Sequence, residues 1–179
     1  MVILKCTGEI RKALRLPDQK LANRTAVNRS LNTWIVHRFP VVRTQFFLFM
    51  NELTLLSFVF YKGRKPITAE TMPAMLMNGF AQLLSMKGLS ESDIRPLIDQ
   101  FETGIYAKTD SRRVLGHMNE IVRDYRYFIE TEGGLKSCNL TGIIMHINDA
   151  PQTLLDWRSP WDATAEALAL LKQPQGTVQ

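Results

Sequence analysis

Two apolar runs separated by three residues constrain this chain more than any other feature. Residues 43–50 and 54–61 are rich in aromatic and β-branched side chains, and Asn51-Glu52-Leu53 lies between them. Runs of that length and composition with a short polar break predict a β-hairpin. Both runs are apolar at successive positions, so both of their faces need cover. This predicts central strands in a sheet flanked by helices.

The rest of the N-terminal half reads as further strand and connection. Residues 2–6 carry Val2, Ile3 and Leu4 and predict a first strand. Residues 8–16 predict a short helix ended by Pro17. Residues 17–32 are polar and basic, a segment long enough to be either functional or mobile. Residues 34–39 alternate and predict a strand that stops at Pro40.

Beyond Pro66 the period changes from two to 3.6, and helices take over. The spacing predicts helices over 68–87 with Gly88 as a stop, over 91–101 after Ser90, over 111–131, over 140–148 and over 162–172 after Ser159-Pro160-Trp161. Pro73 shifts the start of the first of these later or kinks it. Residues 105–109 predict a strand between helices. Met72, Met75, Met77 and Met86 gather on the first helix, where methionine serves as a core gap-filler or as an adaptable partner groove. The whole reads as α+β: a small, mainly antiparallel sheet in the N-terminal half packed with helices from the C-terminal half. The prediction is one domain over 1–172 and a disordered tail over 173–179.

Composition narrows the function classes. A chain of 179 residues buries a sizeable core without a staple. Cys6 and Cys138 are far apart and lack a C-x-x-C spacing, which suits free thiols in a reducing compartment. The four-residue apolar run at the N-terminus is too short for a signal peptide, and no run is long enough to span a bilayer. These features place the chain in a cytoplasm, bacterial by expectation, with no membrane partner. No zinc, calcium or H-E-x-x-H spacing, no G-x-S-x-G elbow and no dinucleotide fingerprint occurs, so no metal and no cofactor is expected.

Charge is uneven. Residues 1–65 hold twelve Lys or Arg against three acids, whereas the remainder holds ten against fourteen. A basic half attracts phosphate-bearing partners. Arg24, Arg29, Lys62, Arg64 and Lys65 are its candidate nucleic-acid contacts.

The segment IYAKTDSRRVLGHMNEIVRDYRYFIE, residues 105–130, carries the most chemistry. A strand enters a polar turn that opens a helix, and a helix start presents free N–H groups and a partial positive charge. Lys108, Thr109, Ser111, Arg112 and Arg113 sit there and form a candidate anion site. Asp110 argues against it, because Asp110 or Ser111 as a cap would occupy those donors. Arg112, Asn119, Arg123 and Arg126 fall on one side of the helix, opposite an apolar stripe, in a row suited to a phosphate backbone or simply to solvent. Gly116 in mid-helix suggests a close approach by another backbone or a ligand.

Several blocks together resemble a known family. Cys6-Thr7 after the first strand, the aromatic strand near Trp34, the hairpin FFLFMNELTLLSF, the block AKTDSRRVLGHMNE and the later FIETEGGL are similar to domain-of-unknown-function family 6933 of bacteria, over most of the chain. The block AKTDSRRVLGHMNE, with Lys108, Thr109, Ser111, Arg112, Val114, Leu115, Gly116, Met118 and Asn119, carries the resemblance most specifically. Residues 17–32 form a longer basic segment than the family pattern has. The resemblance implies an α+β domain found in bacteria and on mobile elements, and it brings no reaction.

The expectation is therefore a non-catalytic binding protein for a phosphate-bearing partner, a nucleic acid first, acting as a bacterial or mobile-element accessory factor. Two alternatives stand beside it. One is a small metal-independent ribonuclease using His117, Arg113, Lys108 and Tyr127. The other is an inhibitor of a host or phage system that docks a protein partner through the Met-rich helix or the basic segment. His37 and His146 read as structural or surface residues.

Overall fold

The structure is a computed structural model that describes residues 1–22, 30–63, 66–99 and 103–172. The chain runs β1 (Val2–Cys6), α1 (Gly8–Ala13), a short 3-10 turn, β2 (Leu21–Ala22), β3 (Thr33–Val41), β4 (Thr44–Asn51), β5 (Ser57–Tyr61), α2 (Met72–Met86), α3 (Glu91–Asp99), β6 (Gly104–Lys108), α4 (Arg112–Thr131), α5 (Leu140–Asp149), a second 3-10 turn and α6 (Pro160–Lys172). This is the α+β architecture that the patterning predicts. The expected tail over 173–179 and residues 23–29 of the basic segment lie outside the described residues.

The strands form one six-stranded sheet in the order β2-β6-β1-β3-β4-β5. The stretch from β3 to β5 is antiparallel, whereas β1 lies parallel to both β3 and β6, and β2 lies parallel to β6. The sheet is therefore mixed, with its antiparallel part confined to residues 33–61. The apolar run at 43–50 is an interior strand, as expected. The run at 54–61 yields β5, which is an edge strand of the sheet. Its edge is covered from the side: Asn148 of α5 accepts from the Ser57 backbone N–H at 2.8 Å and donates to the Ser57 carbonyl at 2.6 Å. A side-chain amide thus takes the place of the missing next strand.

Helices cover both faces. Trp34, in register with Leu4, packs edge-on against Phe80 of α2 and Phe58 of β5, with ring centroids 5.2 and 5.8 Å away. On the other face the Tyr125 hydroxyl of α4 donates to the Ser57 carbonyl at 3.2 Å. Met72 and Met77 of α2 are buried, Met75 is half-buried and Met86 is exposed, so most of that Met cluster fills core. Local signals also mark where helices begin. Ser111, Asn139 and Ser159 accept from backbone N–H groups in the first turns of α4, α5 and α6. No helix among the described residues is long and apolar enough to cross a membrane.

α2 meets the sheet most closely at Gly79, where an added Cβ would lie 2.3 Å from the Phe58 ring. Phe58 is 2% exposed, and its ring has little room to move aside. Gly79→Ala is therefore expected to cost about 1–3 kcal/mol through overpacking, although alanine favours helix elsewhere. The unfolding midpoint in urea reads this directly.

Candidate functional site

A lysine sits inside the apolar first strand. Lys5 is flanked in register by Ile35 of β3 and Ala107 of β6, and it is 3% exposed. A buried ammonium needs counter-charge and hydrogen-bond acceptors. Its Nζ donates to Glu52 Oε2 at 2.6 Å and to Asp110 Oδ1 at 2.8 Å. The Glu52 side chain is 1% exposed and that of Asp110 is 24% exposed. Two carboxylates thus share one ammonium, which leaves one net negative charge at this end of the sheet.

Each carboxylate is placed by its own local structure. Glu52 opens the β4–β5 connection, where its backbone N–H donates to the Thr33 carbonyl at 3.0 Å. Asn51 shapes that connection by accepting from the backbone N–H groups of Leu53 and Thr54 at 3.1 and 3.0 Å. Asp110 lies between β6 and α4. Of the two capping candidates there, Ser111 caps α4, taking the Val114 N–H on its Oγ at 3.3 Å, and Asp110 turns to Lys5.

Beside this cluster a cavity of about 170 Å³ opens between the β4–β5 connection, the start of α4 and the second 3-10 turn. Glu52, Ser111 and Arg113 supply its polar lining, and Leu53, Leu55, Val114, Leu154 and Leu155 its apolar walls. Two of the five blocks that carry the family resemblance, the β4–β5 hairpin and the entry to α4, line the cavity, and Lys5 immediately precedes a third, Cys6-Thr7. Residues 3–163 match the family model described as domain of unknown function 6933. The chain belongs to this family. No curated protein matches it. The part of this DUF6933 chain that matches includes Lys5, Glu52, Asp110, the whole cavity lining and all of α4.

The residues singled out from the sequence are distributed as follows. Ser111 and Arg113 line the cavity. Lys108 alternates to the opposite face from Lys5 and pairs with Asp18 at 2.8 Å. Its hydrogen bond and charge, with help from Arg11, hold the Asp18 carboxyl below the usual range. Thr109 is half-buried between these groups, and Arg112 is exposed on α4. Asn119 is exposed, and the Arg123 side chain is 73% exposed, with Glu120 at 4.0 Å. Arg126 donates through Nε to the Pro40 carbonyl at 3.2 Å, with its guanidinium 5.7 Å from the Phe39 ring centroid. Lys62 is exposed just after β5. Arg24, Arg29, Arg64 and Lys65 lie outside the described residues.

Of the residues named for the ribonuclease alternative, Arg113 and His117 lie one turn apart on α4. His117 is buried, with Nε2 2.7 Å from Gln152 Oε1 and Nδ1 3.1 Å from Glu120 Oε2, while Tyr127 is exposed. His37 is half-buried beside Thr7, and desolvation lowers its pKa. Burial pushes the Cys6 thiol up to about 12 and keeps it unreactive. Among the described residues no group of three or more His, Cys, Asp or Glu is arranged to hold a metal ion.

The Lys5–Glu52–Asp110 cluster was not anticipated from the sequence. The signal for it is a cation inside the apolar run VILKC, which demands a buried counter-charge from elsewhere.

Proposed function

We propose that the chain is a non-catalytic binding protein for a phosphate-bearing partner, a nucleic acid, which it holds along the outer face of α4. The observation that supports this reading is the strip Arg112, Gly116, Asn119 and Arg123, exposed at successive turns of one helix. Gly116 brings no side chain to the strip, and a Cβ added there would meet nothing within 4 Å. The close approach that this glycine permits is therefore open to a partner rather than used inside the chain. Over residues 112–126 the strip and Arg126 extend about 21 Å at the α-helical rise. Glu120 borders it, with one carboxylate oxygen 3.1 Å from His117 and the other 4.0 Å from Arg123. The free thiols of Cys6 and Cys138 suit the reducing cytoplasm in which such a partner is met.

The test is binding of labelled single- and double-stranded RNA and DNA across a salt series, with each probe checked for cleavage. The expected result is binding that weakens as salt rises and leaves the probe intact. Arg112→Ala or Arg123→Ala should each weaken it for every sequence tested and reduce the steepness of the log–log salt dependence by about 1. Absence of binding at low salt would refute the reading, and cleavage that persists in chelator would replace it with the enzymatic one.

A further inference from the structure

We propose that the cavity beside Glu52 binds a small zwitterion, an apolar α-amino acid or a molecule of the same polarity. Three features of the cavity point to that class. First, Glu52 Oε2 is taken by Lys5, while Oε1 of this buried side chain has no hydrogen-bond partner among the described residues, and Glu52 lines the cavity. Lys5 is already shared with Asp110, so the negative charge left over is best met by a cationic donor. Second, Arg113 lines the same cavity and makes no ion pair among the described residues, leaving its guanidinium for an anionic group. Third, the surface between these two charges is leucine-rich, with Leu53, Leu55, Leu154 and Leu155.

A ligand of one charge fits only half of this lining. Glu52 repels a phosphate or a simple carboxylate, and Arg113 repels a simple amine. A molecule that carries an ammonium, a carboxylate and an apolar body satisfies all three surfaces. The size fits the apolar part of such a ligand: a cavity of roughly 150 Å³ holds one benzene-sized molecule, and this one, about 170 Å³ and open on one side, takes the side chain with the charged groups toward its mouth. The site is separate from the outer strip of α4, since it needs neither Arg112 nor Arg123.

Calorimetric titration of the full chain with leucine, methionine and phenylalanine tests the proposal. Isocaproate, isoamylamine and inorganic phosphate serve as probes that lack one charge or the apolar body. The expected result is binding of at least one amino acid, with affinity falling about tenfold or more when either charged group is missing. Glu52→Gln keeps a hydrogen-bond acceptor for Lys5 and should weaken amino-acid binding by a similar factor while leaving the protein folded by circular dichroism. Arg113→Ala, at an exposed position, should do the same without touching the buried cluster, and it decides the matter if Glu52→Gln unfolds. Failure of all three amino acids to bind, binding insensitive to Arg113→Ala, or preferential binding of phosphate would each overturn the proposal. None of these outcomes bears on the nucleic-acid reading, which is probed through Arg112 and Arg123.

Discussion

Lys5→Met is expected to destabilise the protein by about 3–5 kcal/mol, the cost of stranding a buried carboxylate. The methionine matches the lysine stem in length and keeps its packing between Ile35 and Ala107. It supplies nothing for Glu52, whose side chain is 1% exposed and whose hydrogen-bond partner is Lys5 Nζ. Asp110, at 24% side-chain exposure, can turn to water. For a chain of this size the loss corresponds to roughly 6–20 °C in Tm. A second variant separates the charge from the packing. Lys5→Met combined with Glu52→Leu removes the stranded charge along with its partner, and it should recover most of the lost stability, because a buried pair replaced by apolar groups is often neutral. Urea unfolding of the wild type, both single variants and the double variant gives the coupling between the two positions. A Lys5→Met midpoint within error of wild type would show that the cluster does not hold this end of the sheet together.

The difference between what the sequence announces and what the fold builds follows from how far each interaction reaches. Helix starts are local: Ser111, Asn139 and Ser159 each cap within three residues of themselves, and each was readable or nearly so. The 43–50 strand is announced by its own side chains. The turn before it is not. β3 and β4 are joined through Val42 and Arg43, with Val42 at φ 53°, where a glycine or asparagine is the usual signal. Pro40 therefore looked like the end of a strand, whereas it pairs with Gln45 inside a longer hairpin. The parallel pairing of β1 with β3 and β6 joins segments about 30 and 100 positions apart, and no local pattern encodes it. The edge position of β5 is equally hidden, because Asn148 supplies from α5 the hydrogen bonds that a neighbouring strand would provide.

The same rule divides the site. The entry to α4 was legible because polar and basic residues crowd a strand-to-helix turn. The structure separates those residues by strand alternation: Lys108 faces away, while Ser111 and Arg113 reach the cavity. Lys5 counted toward a basic surface in the sequence, but its charge is consumed by Glu52 and Asp110, and Asp18 likewise takes up Arg11 and Lys108. The usable positive charge among the described residues is therefore smaller than the composition suggests. It remains on α4, just after β5 and at exposed Lys12, Arg15, Lys20 and Arg43 of the basic half.

Asn51→Ala is expected to cost about 4 kcal/mol or more, through a broken hydrogen-bond network in place of a stranded charge. Asn51 is fully buried. Its Nδ2 donates to the Leu31 and Thr33 carbonyls at 3.1 and 3.2 Å, and its Oδ1 accepts from the N–H groups of Leu53 and Thr54 and from the Thr54 hydroxyl. Alanine removes all five bonds and leaves the buried Thr54 N–H without its partner, whereas the Leu31 and Thr33 carbonyls keep Trp34 Nε1 and the Glu52 N–H as donors. Asn51→Asp keeps the acceptor but loses both donated bonds and buries a charge, so it should fare no better than alanine. Leu53→Ala in the same connection is the control: that side chain is 40% exposed, and the expected change is below about 1 kcal/mol. If Asn51→Ala and Leu53→Ala unfold at the same urea concentration, the network carries no weight. If Asn51→Ala is the weaker, as expected, it should also loosen the Glu52–Lys5 pairing, because Glu52 is the next residue and shares the Thr33 carbonyl with the Asn51 amide. Neutral hydrogen bonds from one asparagine thus fix the backbone on which the adjacent glutamate can afford to be buried.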